Sequence, residues 1–389
     1  MKLFDNTAVA FSLKTDAALE RAYFLFKLIG HQPLVRIGAK VAEFAFNAHL
    51  PVEGLVRATV FDQFCSGTSA HDSLQVVEQL SEKGVYSVLD YSVEGAKEEI
   101  SLDVCYQNTL DTIAQSTNNP NIPFSVFKPT GFAHPDLLEA VSQNKTLSWE
   151  ETSAWERVKN RFYGAADAAA KAKIRLLIDA EESWYQPAID TLVEELMITF
   201  NRTEAVVFTT AQMYLKNRLP YLETLHQKAQ KNGFIAGVKL VRGAYMEKEA
   251  LYAKGKGDLS PVCATKKATD INFDRGWQFI LQYLDHFALY FGSHNEASTY
   301  AILAAMEKSQ ITKNHPRIWF GQLYGMSDHI TFNLAKAGYK ASKYLPFGPV
   351  KDVLPYLIRR AEENTSVQGQ TVRELALIEQ ERKRRKIEG

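Results

Sequence analysis

The sequence predicts an α/β fold, a (βα)8 barrel of the TIM type, on three observations. Eight short apolar, β-branched-rich runs recur after about residue 85, amphipathic segments separate most of them, and polar residues collect where the runs end. A parallel strand buried on both faces reads as a continuous apolar run, and each needs a crossover helix to return the chain, so eightfold alternation points to a barrel.

The runs fall at 85–89, 124–127, 174–178, 205–208, 238–241, 287–291, 318–320 and, more weakly, 341–345. Helical periodicity is clearest at 190–197 and 213–231. The stretches after Lys128 and after Tyr245 are long enough to hold inserted helices or loops. A doubly wound dinucleotide fold would carry G-x-G-x-x-G after an early strand, and none is present. Residues 1–84 read as helical, with segments at 17–29, 35–48 and 71–83, and form an accessory arm with no flexible linker behind it. The barrel then covers 85–366, and 367–389 form a helical, basic tail whose run at 381–386 reads as frayed and solvated.

Composition narrows the partners. Lys plus Arg and Asp plus Glu both total 45, so the net charge is zero and nothing points to nucleic acid. Three widely spaced cysteines without a CxxC pair argue against a disulfide framework or structural zinc and fit a reducing compartment. The N-terminus shows no apolar leader, and no run of eighteen apolar residues occurs. The expectation is a cytoplasmic protein, peripheral to the inner face of the membrane if it touches one, with the basic run as a weak contact for anionic lipid. Oligomeric state is not legible.

The most informative segment is 343–364. If it is helical after Gly348, then Tyr356, Arg359, Arg360 and Glu363 fall at i, i+3, i+4 and i+7, putting a ring, two guanidiniums and a carboxylate on one face. Paired guanidiniums grip a carboxylate bidentately, so this face suits a small zwitterion; the bland reading is a solvated helix with an internal ion pair.

Functional residues of a barrel sit at the C-terminal strand ends, and here seven of eight ends are polar: Lys128; Asp179 followed by Ala-Glu-Glu; Gln212; Lys239 to Tyr245; Ser293-His294-Asn295; Gln322 to Gly325; and Tyr344. Each has its own structural explanation, Asp179 as a helix cap, His294 as a core histidine, Lys239 as a salt bridge. Together they are harder to explain that way. No His-x-His, His-Glu-x-x-His or Gly-x-Ser-x-Gly motif occurs, so metal ligands and a serine nucleophile are not evident. Cys263 reads as an apolar filler. Arginines suited to a carboxylate, without metal or nucleophile, leave the chemistry to an organic cofactor.

Five segments carry a resemblance: Leu-Ile-Asp-Ala-Glu-Glu at 177–182, Lys-Leu-Val-Arg-Gly-Ala-Tyr at 239–245, Ser-His-Asn at 293–295, Gln-Leu-Tyr-Gly-Met-Ser-Asp at 322–328, and the 344–364 segment. In order and spacing they resemble proline dehydrogenases over roughly residues 120–366. The resemblance implies a barrel holding noncovalent FAD at its strand ends and a last helix laid over the mouth. It implies oxidation of L-proline to Δ1-pyrroline-5-carboxylate by hydride transfer to the flavin N5, with electrons passing to a membrane quinone. Arg359, Arg360 and Lys128 would hold the proline carboxylate, Glu363 would pair with the arginines, and Tyr245, Leu323, Tyr344 and Tyr356 would box the ring. Gln212, Lys239, Arg242, Gly243, Ala244, His294, Asn295 and Gln322 would contact FAD, with Lys266 and Thr269 near its phosphates or ribose.

The proton acceptor for the substrate nitrogen stays open between solvent and Asp179. The order lysine then arginine at 239 and 242 resembles mitochondrial and stand-alone forms, whereas many bifunctional enzymes have arginine first. No aldehyde dehydrogenase domain follows the barrel, so channelling within this polypeptide is not expected. Two alternatives remain: a hydroxyproline dehydrogenase, which a bulky Tyr344 argues against, and a catalytically silent amino-acid-binding barrel.

Overall fold

The computed structural model describes residues 2–30, 32–48, 50–92, 98–366 and 370–386. Eight parallel strands close into a barrel in sequence order: β1 (Tyr86–Tyr91), β2 (Phe124–Phe127), β3 (Arg175–Ile178), β4 (Val207–Gln212), β5 (Ala236–Val241), β6 (Phe287–Gly292), β7 (Ile318–Leu323) and β8 (Ala341–Phe347). Ahead of β1 lie α1 (Asp16–Ile29), α2 (Gln32–Asn47) and α3 (Ala70–Ser81). The crossovers are α4 (Glu99–Ser116), α5 (Pro135–Ser142) with α6 (Trp149–Ala172), α7 (Gln186–Phe200), α8 (Arg218–Asn232), α9 (Met246–Lys256) with α10 (Lys266–Gln282), α11 (Glu296–Lys308) and α12 (Asp328–Lys336). Helices α13 (Leu354–Ser366) and α14 (Gln370–Arg385) follow β8. The two long stretches foreseen after Lys128 and Tyr245 thus each hold an extra helix.

By contact density the chain divides into one unit of residues 1–94, 294–297 and 321–389, and another of 95–293 and 298–320. Within the second unit, β2 through β6 pair in continuous register, for example Phe127 opposite Ile178 and Gln212 opposite Val241. Phe124 makes edge-to-face contacts with Phe208 and Tyr290, at centroid separations of 5.8 and 5.1 Å. Strands β2 and β6 are not neighbours, so these rings meet inside the barrel, in the layered packing of alternate strands that fills such interiors.

Strand β4 runs to Gln212 and not only through the apolar 205–208 run. Thr209 and Thr210 are buried in it, and the Thr210 hydroxyl donates to the Ile178 carbonyl at 2.8 Å. This internal bond is what lets the Thr210 hydroxyl occupy a central strand. Helix α8 begins only at Arg218, later than the periodicity suggested, because Met213 and Tyr214 still donate to the Val241 and Arg242 carbonyls.

Within the first unit, β1 and β8 pair from Tyr86 opposite Ser342 to Tyr91 opposite Phe347. A capping box starts α3, in which the Ser69 hydroxyl accepts from the Asp72 N–H while the Asp72 carboxylate accepts from the Ser69 N–H. The Ser66 N–H donates to the Pro346 carbonyl at 2.9 Å, which ties the segment ahead of α3 to the end of β8.

The 381–386 run is not a frayed tail. Glu381 is fully buried and accepts from Arg384 and Arg385, while Arg382 pairs with Glu20 and Arg385 with Asp16, both on α1 or its first turn. A block of like charges becomes helical here because acids on another helix neutralise part of it. Composition alone cannot show such partners.

Candidate active site

In the second unit, the C-terminal ends of β2, β3 and β5 bring three charges together. Asp179, one residue past β3, takes Lys128 on one carboxylate oxygen at 3.1 Å and Lys239 on the other. Burial alone would raise the Asp179 pKa, but the ammoniums of Lys239 and Lys128 overcome it and hold the group at about 2. Two ammoniums thus meet one carboxylate, and Lys239 is almost fully buried. A permanently ionised Asp179 makes a poor base, which weighs against it as proton acceptor.

The sequence reading passed over Glu181, two residues on. One of its oxygens accepts from the Thr130 N–H at 3.0 Å and hydroxyl at 2.7 Å, and the other accepts from the Tyr245 hydroxyl at 3.2 Å. Burial dominates and pushes its pKa up to about 7, against the lowering effect of the Thr130 bonds. Two acids in one Asp-Ala-Glu-Glu stretch are therefore driven to opposite protonation behaviour, the arrangement from which acid and base roles are built. Gln212 holds this region in place: its amide donates to the Glu181 carbonyl at 2.8 Å and accepts from the Ala244 N–H at 3.3 Å.

The Arg-Gly-Ala-Tyr turn after β5 explains its own glycine. Gly243 has φ of 129°, and a β-carbon there would run into the Tyr214 ring. Arg242 is fixed on four sides: Nε donates to Asp270 at 2.7 Å, its terminal nitrogens donate to Ser293 and Ser298, and its plane lies 4.3 Å from the Phe273 centroid. Asp270 also binds Lys266 at 2.8 Å, and Thr269 beside it is buried. Arg242, Lys266 and Thr269 therefore share one cluster at the start of α10, but Lys266 is largely exposed.

In the first unit, His294 follows β6. Its Nε2 accepts the Leu323 N–H at 3.4 Å, so the proton sits on Nδ1, which donates to the Ser327 hydroxyl at 2.9 Å. Burial, with Lys343 and Arg360 nearby, lowers its pKa to about 3 and keeps the ring neutral. Gln322 is buried in β7 and accepts from Thr331 at 2.8 Å. Asn295 is half-buried beside His294. Behind this strand end, Lys343 pairs with Asp328 at 2.8 Å and donates to the Leu323 and Met326 carbonyls. Nothing in the spacing of 323, 326, 328 and 343 announced this buried support.

Helix α13 answers the reading of the 343–364 segment. Tyr356 is 4% and Arg360 9% exposed, with the guanidinium 5.2 Å from the ring centroid, and Arg359 is half-buried. A freely solvated face would not bury an arginine. Leu323 packs against the cluster that contains Tyr356, Leu357 and Met326, and Tyr344 is buried in β8. The Glu363 side chain lies outside the described residues.

The donor set suits a flavin. The Lys128 and Lys239 ammoniums gathered at Asp179 offer the positive charge that an anionic, phosphate-bearing cofactor needs. Among the described residues no cluster of metal-ligating side chains occurs.

The proline dehydrogenase family matches residues 73–373. The chain is 36% identical to the carbapenem antibiotics biosynthesis protein CarD of Pectobacterium carotovorum, covering 87% of each. It is 33% identical to the mitochondrial proline dehydrogenase 1 of Arabidopsis thaliana, covering 100% of this chain and 86% of the relative. The fold is similar to that of proline utilization A (PutA) from Bdellovibrio bacteriovorus, in the structure inactivated by N-propargylglycine, with a TM-score of 0.71 at 20% identity. That likeness covers 92% of this chain but only 38% of the PutA chain. By its matched residues and its barrel, this chain belongs to the proline dehydrogenase family, a family of flavin-dependent oxidoreductases.

Proposed function

We propose that this enzyme oxidises L-proline to Δ1-pyrroline-5-carboxylate with noncovalently bound FAD, and passes the electrons to a membrane quinone. The observation that carries the reading is the buried Tyr356–Arg360 pair on α13, with Arg359 beside it. FAD, when bound, supplies the acceptor for a hydride from the carbon next to the substrate nitrogen.

The chain's own residues do the rest. Arg359 and Arg360, with Lys128, grip the carboxylate and fix which C–H bond is presented. Tyr344, Tyr356, Leu323 and Tyr245 wall the ring and exclude water. Lys239 and Arg242, with Gln212, Gly243, Ala244, His294, Asn295 and Gln322, hold the cofactor and favour negative charge on it, Lys266 and Thr269 lying toward its phosphates or ribose. Glu181 takes, by way of the Tyr245 hydroxyl, the proton that the substrate nitrogen must lose, since its pKa of about 7 suits that exchange.

Proline is preferred to 4-hydroxyproline in this reading because a bulky Tyr344 at the pocket wall, a residue that is buried in β8, would leave a ring hydroxyl neither room nor a partner. The test is kcat/KM for both substrates in wild-type protein and in Tyr344→Ser. The expected result is a strong wild-type preference for proline that the variant loses, with slower proline turnover. An unchanged selectivity ratio would take Tyr344 out of the pocket, and a wild-type preference for hydroxyproline would favour that substrate instead.

A further inference from the structure

Helix α9 is one of the two extra helices in the crossovers, and its first turn carries two glutamates with opposite surroundings. Glu247 is exposed, as an acid that only complements a helix N-terminus would be. Glu249 is 1% exposed. One of its carboxylate oxygens accepts from the Ser183 N–H at 2.7 Å and from the Tyr214 hydroxyl at 3.3 Å, and the other accepts from the Ser183 hydroxyl at 2.6 Å. A buried carboxylate needs hydrogen bonds to offset its loss of water, and all three of these come from outside α9.

Those partners belong to segments that carry site residues. Ser183 lies two residues after Glu181 on the segment that follows β3, and Lys248 on α9 pairs with Glu182 of the same segment at 2.7 Å. Tyr214 lies two residues after Gln212. Its N–H donates to the Arg242 carbonyl at 2.7 Å, and its ring fills the space that a β-carbon on Gly243 would take. Burial and the Glu249 carboxylate both raise the Tyr214 pKa, so the phenol keeps its proton and stays a donor. Farther along α9, Tyr252 stacks on Trp184 at 3.9 Å and donates to Glu139 on α5 at 2.8 Å. Glu249 is therefore the buried point at which the segment after β3, the end of β4 and the turn after β5 are joined.

We propose that Glu249 is a positioning residue for proline oxidation: its carboxylate locks the segment after β3 against Tyr214 and so sets where Glu181 stands relative to Tyr245. The inference rests on the functional reading in which Glu181 takes the substrate proton by way of the Tyr245 hydroxyl. That bond, at 3.2 Å, spans the same two segments that Glu249 clamps. The groups that face Glu181 are Lys128 and Thr130 after β2, Glu182 beside it, Gln186 on its N–H and Tyr245 after β5, while Asp179 is turned to Lys128 and Lys239. Glu249 reaches Glu181 through Ser183, two residues along the backbone.

The test is the pH profile of kcat/KM for proline in flavin-loaded wild type, Glu249→Ala and Glu249→Gln, with flavin content and Tm measured alongside. Alanine leaves the Ser183 N–H without its acceptor and lets water reach the segment, so part of the burial that raises the Glu181 pKa is lost. Glu249→Ala is expected to lower kcat roughly ten- to hundredfold, to change KM less than about threefold, and to move the inflection near pH 7 downward. Glutamine keeps an acceptor for the Ser183 N–H and a donor for either hydroxyl, and is expected to restore most of kcat and the wild-type inflection. A glutamate that only held the fold together would lower Tm and flavin content without moving the inflection. Should Glu249→Ala fail to hold flavin, Ser183→Ala, which removes one of the three bonds, is expected to shift the inflection the same way by a smaller amount. An inflection that stays in place in the flavin-loaded variants overturns the proposal, and so does a glutamine variant as impaired as the alanine one. Glu181→Gln separates the two levels. If it keeps the wild-type inflection, the proton assignment is wrong and this inference falls with it; if it abolishes the inflection while Glu249→Ala leaves it unmoved, the positioning role alone falls.

Discussion

Lys128 and Lys239 both meet the Asp179 carboxylate, and the Glu181 carboxyl nearby, with its pKa raised to about 7, is the group proposed to take the substrate proton. Replacing Glu181 by Gln keeps a hydrogen-bond acceptor for the Tyr245 hydroxyl but removes the titration. In wild-type enzyme kcat/KM for proline should rise with pH through about 7 as the carboxyl deprotonates. The variant should lose that inflection and fall roughly hundredfold, the lower range for a positioned base. A variant that keeps the same inflection would assign the proton to another group. The roles of these side chains were partly legible: a lysine and an aspartate at strand ends are visible in sequence. Their pairing across 51 and 60 residues is not, and neither is the pKa of Glu181, which burial sets.

At the scale of elements, α13 is the clearest case of a sequence pattern that survives folding. The spacing of 356, 359 and 360 predicted a shared face, and the structure buries its aromatic and one of its arginines. Arg359→Met and Arg360→Met should each raise KM for proline ten- to hundredfold, about 1.5–3 kcal/mol per lost charge-assisted bond, while flavin content stays near wild type. A variant that binds proline normally would end the carboxylate role, and one that loses its flavin would move the arginine to the cofactor. The strands were legible where they are purely apolar, as in β2. The polar half of β4 was not, because its threonine pairs internally, and the basic end of α14 was not, because its partners lie some 360 residues away on and near α1.

For the molecule as a whole, the account rests on a barrel with polar strand ends, foreseen from eight apolar runs alternating with helical segments, and on its family, foreseen from five short segments in order. Exposure of the α1 and α2 faces was not foreseen, since an apolar helical stripe in sequence reads as one that folding will cover. The central claim is that electrons from proline arrive on a bound flavin. Anaerobic addition of L-proline to the purified, FAD-loaded protein, followed by absorbance in the flavin band, tests it most directly. The account predicts bleaching that proline drives and that air or a quinone analogue reverses, with FAD recovered in the supernatant after acid denaturation. A flavin spectrum that proline leaves unchanged, in protein that retains its FAD, would contradict it.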